Sequence, residues 1–211
     1  MKIAVLGAGN VGAGLARAAA AAGHTVSLSG STPEKVAAVA AEVGATAAAS
    51  NAAAVEGADL VVLAVSHSAL AGVAAEIKHA AAGIPLVDAT NPLDATYSDL
   101  VIEGDSAAAD LQALVPGSPV VKAFNTVFAS RYAAPTEDGR ALPVFIAGDD
   151  ADAKAAVARL ASSMGFQSLD VGGQRHARGL EELAFLNIAL NATNGWAWQS
   201  AWTLVGPSSL A

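Results

Sequence analysis

Short apolar runs alternate with alanine-rich stretches of helical period along most of the chain. Ile3-Ala4-Val5-Leu6 predicts a buried strand, and Gly9 to Ala22 a helix that Gly23 ends. Thr25 to Ser29 predicts a second strand. A helix then runs to about Val43, with Ser31 or Thr32 as cap, Pro33 in its first turn and capping-box spacing between Ser31 and Glu34. Ala45 to Ala48 reads as a weak strand and Ala52 to Val55 as a short helix. Leu60 to Val65 is continuously apolar and β-branched, as a central parallel strand is. Further alternation follows: helix His67–Ala82, strand Pro85–Asp88, helix Ser106–Val115, strand Val120–Ala123 and strand Leu142–Ala147. Asp149-Asp150 caps a helix to about Ser163, and Phe166 to Val171 predicts a closing strand. From Leu180 to Ala201 the pattern predicts one long apolar helix in the part of the chain that holds Trp196, Trp198 and Trp202. Repeated strand–helix units predict an α/β protein with a doubly wound, mostly parallel sheet and a small C-terminal helical part. The expected division is a main domain at 1–172 and a helical extension at 173–211, which covers an active site or packs on a second subunit.

Composition removes several classes of function. The chain has 211 residues, no cysteine, and a net charge of -8 with only 11 basic residues. A disulfide framework, a thiolate nucleophile and a zinc–sulfur site are therefore excluded, and no nucleic-acid partner is expected. His24, His67, His79 and His176 lack metal-ligand spacing, so no metal is expected. No uninterrupted apolar run reaches about 18 residues, and a strand pattern begins directly after Met1-Lys2. The expectation is a cytoplasmic protein without membrane contact.

Gly7-Ala8-Gly9-Asn10-Val11-Gly12 fits G-x-G-x-x-G immediately after a strand and at the opening of a helix. In that context the pattern binds dinucleotides. Gly7 permits the tight turn, Gly9 admits the pyrophosphate, and Gly12 lets helix and strand approach, with Gly14 extending the pattern. The free N–H groups at the helix start bind the phosphates. An NAD site offers an acid about twenty residues on. Here the run is Ser29-Gly30-Ser31-Thr32, with no acid before Glu34. Hydroxyls and Lys35 in place of a carboxylate point to NADP. A Rossmann-like NADP-binding domain follows, with ligands beyond the carboxyl ends of its strands. Ala64, Val65, Ser66 and His67 leave the fourth strand, and Asn91 and Pro92 leave the fifth. His67 is either a proton donor or a helix-start residue. Asn125-Thr126 between Phe124 and Phe128 is either the polar floor of a ring-binding pocket or a polar turn between packed aromatics.

Taken in order, GAGNVGAGLA, SGSTPEK, LVVLAVSH, LVDATNPL, VVKAFNTVFASRY, IAGDDADAKAAVARLASSMGF and LEELAFLNIALN resemble one family over nearly the full chain. It is the family of NADP oxidoreductases that act with coenzyme F420, a deazaflavin. The resemblance implies direct hydride exchange between deazaflavin and NADP, on a Rossmann-like domain, in a homodimer. It implies that Gly7 to Gly12 hold the pyrophosphate and that Ser31 and Thr32 hold the 2′-phosphate. It further places Val65, Ser66 and His67 along the ribose and nicotinamide, and Asn125 with Thr126 toward the second ring. The chain departs from well-known members at Gly7-Ala8-Gly9, at Thr32 where they have arginine, and at Asn125 where they can have histidine.

Such a transfer needs alignment of two rings and exclusion of water rather than acid–base help. No residue is assigned a catalytic role. Two alternatives differ in chemistry. A reductase of a flavin or of a small carbonyl or imine would need an acid such as His67 or Tyr97. A non-catalytic NADP sensor would need none.

Overall fold

The computed structural model describes residues 1–102 and 104–205. Its first half consists of β1 (Lys2–Leu6), α1 (Asn10–Ala21), β2 (Thr25–Ser29), α2 (Pro33–Val43) and β3 (Thr46–Ala47). Next come α3 (Asn51–Val55), β4 (Leu60–Leu63), α4 (His67–Ile77), β5 (Leu86–Asp88), α5 (Ala107–Leu114) and β6 (Val120–Lys122). The six strands are parallel in the order β3-β2-β1-β4-β5-β6. The winding reverses between β1 and β4, which is where open α/β sheets bind ligands.

A small antiparallel hairpin, β7 (Thr136–Glu137) with β8 (Arg140–Ala141), follows β6 in the chain. Strand β9 (Pro143–Ala147) runs antiparallel to β6, and β10 (Gln167–Gly172) runs parallel to β9. Between them lies α6 (Ala151–Ser163), whose first turn is capped by Asp150 Oδ1 accepting from Ala153 N at 2.8 Å.

The side-chain alternation of the strands separates two apolar layers. Along β1, Ile3 and Val5 face one layer with α1, α2 and α6, while Ala4 and Leu6 face the other with α3, α4 and α5. All four residues of β4 are buried, which explains its unbroken apolar run. The capping box expected at Ser31 and Glu34 does not form: Thr32 holds the N-cap position and makes no side-chain capping bond. Helix α4 stops at Ile77 rather than Ala82 and continues as turns.

The last helix, α7 (Ala177–Asn194), is shorter than its apolar pattern predicts. Gly195 adopts φ 63° and stops it, because a left-handed residue satisfies the last carbonyls by turning the chain back. Trp196, Trp198 and Trp202 therefore lie in an irregular segment after the helix. Of the extension expected at 173–211, residues 206–211 lie outside the described residues.

Candidate functional site

The turn from β1 into α1 is held by its backbone. Gly7 adopts φ +113°, and a Cβ there would lie 2.3 Å from the carbonyl oxygen of Ala64. A Cβ on Gly12 would lie 1.8 Å from the carbonyl oxygen of Gly7. Both positions exclude a side chain by direct collision. Gly9 differs: no atom lies within 4 Å of where its Cβ would stand. It is the N-cap of α1, offers no side chain to the helix, and no acid occupies the first turn. The first-turn N–H groups thus face open space with the positive end of the helix dipole behind them, an arrangement that attracts an anion. Gly14 would meet the Tyr132 ring at 2.7 Å, so it admits that ring rather than a strand.

The end of β2 supplies polar groups of two kinds. Ser29 is buried, and its hydroxyl donates to Asn51 Oδ1 at 2.7 Å. Its side chain is thereby removed from the ligand edge where the sequence places it. Ser31, Thr32 and Lys35 are exposed, and among the described residues none is in an ion pair. Gly30 packs closely, its Cβ position 3.2 Å from the nitrogen of Ala8.

A cavity of about 1090 Å³ opens beyond the ends of β4, β5 and β6. Its near wall is Asn10, Val11, Ala64, Val65, Ser66 and His67. His67 is the first residue of α4, with Ser66 at the cap, and its Nδ1 is buried without a hydrogen-bond partner among the described residues. On the far wall, Asn91 and Asn125 bind reciprocally. Asn91 Nδ2 donates to the Asn125 carbonyl at 3.0 Å, and Asn125 Nδ2 donates to Asn91 Oδ1 at 3.0 Å. The Asn91 amide thus braces this loop rather than standing free. Pro92 is buried behind it and does not line the cavity.

Phe124, Thr126 and Phe128 line the cavity as expected, and the Phe124 ring is anchored in the core behind it. It is fully buried and packs edge-on against Tyr132 and Phe166, with ring centroids 6.4 Å away in each case. Burial pushes the Tyr132 hydroxyl well above the usual phenol range.

Sequence reasoning missed the group that fixes the far wall. Lys122, Asp88 and Glu181 are all completely buried. Lys122 Nζ donates to Asp88 Oδ2 at 2.9 Å and to the Thr90 carbonyl at 2.7 Å, and meets Glu181 Oε1 at 3.0 Å. Glu181 Oε2 accepts from Ala107 N at 3.3 Å, at the N-terminal end of α5 where its charge is favoured. Next to Glu181, the Leu180 carbonyl accepts from Asn125 Nδ2 at 3.0 Å. A single charged residue in each of two adjacent apolar strands was the available signal.

The chain resembles proteins of one family. Residues 2–92 match the family model described as NADP oxidoreductase, coenzyme F420-dependent. The F420-dependent NADP reductase of Methanothermobacter marburgensis is 34% identical, over 92% of this chain and 94% of its own length. The chain belongs to this family of NADP-dependent oxidoreductases. A crystal structure from Arthrobacter sp. FB24, described as an F420-dependent NADP-reductase, superposes with a TM-score of 0.84 at 34% identity. That match covers 97% of this chain and 99% of the other. The metalloreductase STEAP3 of Rattus norvegicus is 39% identical over 102 residues, 48% of this chain but only 20% of that much longer protein. The family-model match ends at the near wall and Asn91-Pro92. The far wall, with Asn125, Phe128 and α7, belongs to the part shared with the full-length relatives. Among the described residues no helix is long and apolar enough to cross a membrane.

Proposed function

We propose that the protein transfers hydride directly between NADP(H) and coenzyme F420. The observation that carries this reading is one continuous cavity. It starts at the open N-terminus of α1, passes the ends of β4 and β5, and reaches Asn125, Thr126 and Phe128. The residues present fit NADP: the space over Gly9 is empty, and Ser31, Thr32 and Lys35 offer donors with no acid before Glu34. The nicotinamide and deazaflavin rings, when bound, supply the hydride chemistry itself.

The chain's own residues bind and orient. Backbone N–H groups of the turn from Gly7 to Gly12 hold the pyrophosphate, and Ser31, Thr32 and Lys35 hold the 2′-phosphate. Val65, Ser66 and His67 line the ribose and nicotinamide, with Asn91 bracing the opposite loop through Asn125. Asn125 and Thr126 face the second ring, and the apolar walls exclude water. Residues 1–172 serve as the NADP-binding unit, and α7 with the segment up to Trp198 closes its far wall. The exposed Leu186, Trp196, Leu204 and Val205 support a homodimer through this extension, and a cytoplasmic setting suits a small-molecule redox exchange.

The test is NADPH oxidation with F420, then FMN, as acceptor, with NADH as control. Turnover with NADPH and F420 is expected. Turnover with FMN alone would replace F420 by a flavin, and NADPH binding without any turnover would overturn the reading. Sedimentation reads the oligomer in the same preparation.

A further inference from the structure

Four non-glycine residues among those described adopt positive φ: Tyr97 (58°), Phe124 (66°), Asp138 (49°) and Trp198 (56°). Bulky residues avoid this conformation, and where it persists the surroundings must impose it. Three of the four are aromatic, and all three line the same cavity. For Phe124 the consequence is clear. The strain turns its ring into the core and leaves Asn125 and Thr126 at the cavity.

The other two rings go the opposite way. Tyr97 is 66% exposed and Trp198 45%. Each is held by a dense local hydrogen-bond network. The Asp94 carboxylate accepts from the N–H and hydroxyl groups of both Thr96 and Ser98, which flank Tyr97, while Tyr97 N donates to the Asp94 carbonyl at 3.1 Å. The Ser98 backbone N–H, followed by the Thr96 hydroxyl, holds the Asp94 carboxyl down to about 2, so the knot stays charged.

Trp198 N donates to Asn191 Oδ1 at 3.1 Å, and its carbonyl accepts from Ser130 Oγ at 2.6 Å. Asn191 and Asn187, both buried on α7, also bind Ser200 Oγ, at 2.6 and 2.7 Å. The chain after α7 is thereby folded back so that the Trp198 ring meets Phe128 edge-on, centroids 5.7 Å apart. Nothing in the core accounts for two strained, hydrogen-bonded loops that keep aromatic faces in water at one cavity.

We propose that Tyr97 and Trp198 select the second redox ligand as a flat conjugated ring by stacking on it, and that Asn187 and Asn191 position Trp198 for this. The inference rests on the reading that this cavity takes the second redox ligand. Stacking on an aromatic face is tolerant of substituents but requires a planar π-system. The selection is therefore for ring class, against small aliphatic carbonyls and imines.

The experiment uses the full chain with Trp198→Ala, Trp198→Phe, Tyr97→Ala and Asn191→Ala. The KM for F420 is expected to rise about five- to tenfold in both aromatic-to-alanine variants, with the Kd for NADPH unchanged. Trp198→Phe is expected to keep the KM close to wild type, and Asn191→Ala to reproduce the Trp198→Ala shift. F420 and FMN are expected to quench tryptophan emission in the wild type without NADPH, and Trp198→Phe to lose that quench. If the wild type turns over F420 and both alanine variants keep its KM, stacking selection is wrong and the proposed activity stands. A rise in NADPH Kd with unchanged F420 KM would also overturn it. If the wild type binds NADPH but neither F420 nor FMN, the activity reading fails and the ring selection falls with it.

Discussion

The turn at Gly7–Gly12 and the loop at Asp88–Asn91 both follow parallel strands, and both border the same cavity. They are held by opposite means. The first depends on what is missing: three Cβ atoms, two of which would strike backbone. The second depends on what is added, a buried lysine between two carboxylates and a reciprocal pair of asparagines. A wall made of backbone presents N–H groups to an anion and has little freedom to change. A wall made of side chains joins β5, β6, α5 and α7, so the far side of the cavity can be re-shaped by residues that never touch a ligand.

The sharpest way to break this contrast is Lys122→Met. It leaves the Asp88 and Glu181 carboxylates buried without their shared cation. Removing one partner from such a group costs about 3–5 kcal/mol, read by urea unfolding. A loss under about 1 kcal/mol would mean that the triad does not hold this wall. At the other wall two glycines separate fold from binding. Gly12→Ala forces a methyl to 1.8 Å from the Gly7 oxygen, so a stability loss of about 3 kcal/mol is expected. Gly9→Ala meets nothing, so its unfolding free energy should change by less than about 1 kcal/mol. Its NADPH affinity should nevertheless fall about tenfold or more, because the methyl fills space that the phosphates need. If Gly9→Ala binds NADPH as well as wild type does, the anion site is elsewhere.

The same contrast explains what could be read from the chain. The turn is local: its glycines occupy fixed spacings between a strand and a helix, and the parallel sheet follows from apolar runs of the right length. The far wall is assembled across 34 positions for Lys122 with Asp88 and 55 for Asn125 with Leu180. No short window contains such a pair, and a lysine inside Val120-Val121-Lys122-Ala123 looks like any strand residue until its partners are placed. The engagement of Ser29 is hidden for a similar reason, since Asn51 claims its hydroxyl from the start of another helix. The tail departs from its pattern because the apolar run continues past Gly195, where the backbone, not the pattern, ends the helix.

A smaller effect sharpens the near wall. Lys35 is exposed and outside any ion pair among the described residues. An exposed cation against one phosphate contributes on the order of 1 kcal/mol, about fivefold in affinity. Lys35→Ala should lower the preference for NADPH over NADH by about that factor while leaving NADH binding unchanged, as read by fluorescence titration. Thr32→Arg should raise the preference. Equal losses for both nucleotides would place Lys35 against another part of the cofactor.

The smallest effect lies away from both walls. His24 precedes β2, with Nδ1 3.2 Å from the Met1 amino nitrogen and Nε2 2.8 Å from Ser163 Oγ at the end of α6. Partial burial lowers its pKa from the ordinary 6.5, because desolvation disfavours the imidazolium. The folded protein then binds fewer protons than the unfolded chain just below that value. Its contribution to stability is complete above 6.5 and is lost as pH falls through the lower folded-state value. Chemical unfolding of wild type and His24→Gln across this window should show a shallower decline in the variant, with NADPH affinity changing in neither. A pH dependence of stability that survives the substitution would assign the effect to another group. A parallel change in NADPH affinity would show that the two ends of the sheet are coupled, so that the walls of the cavity could no longer be treated as independent.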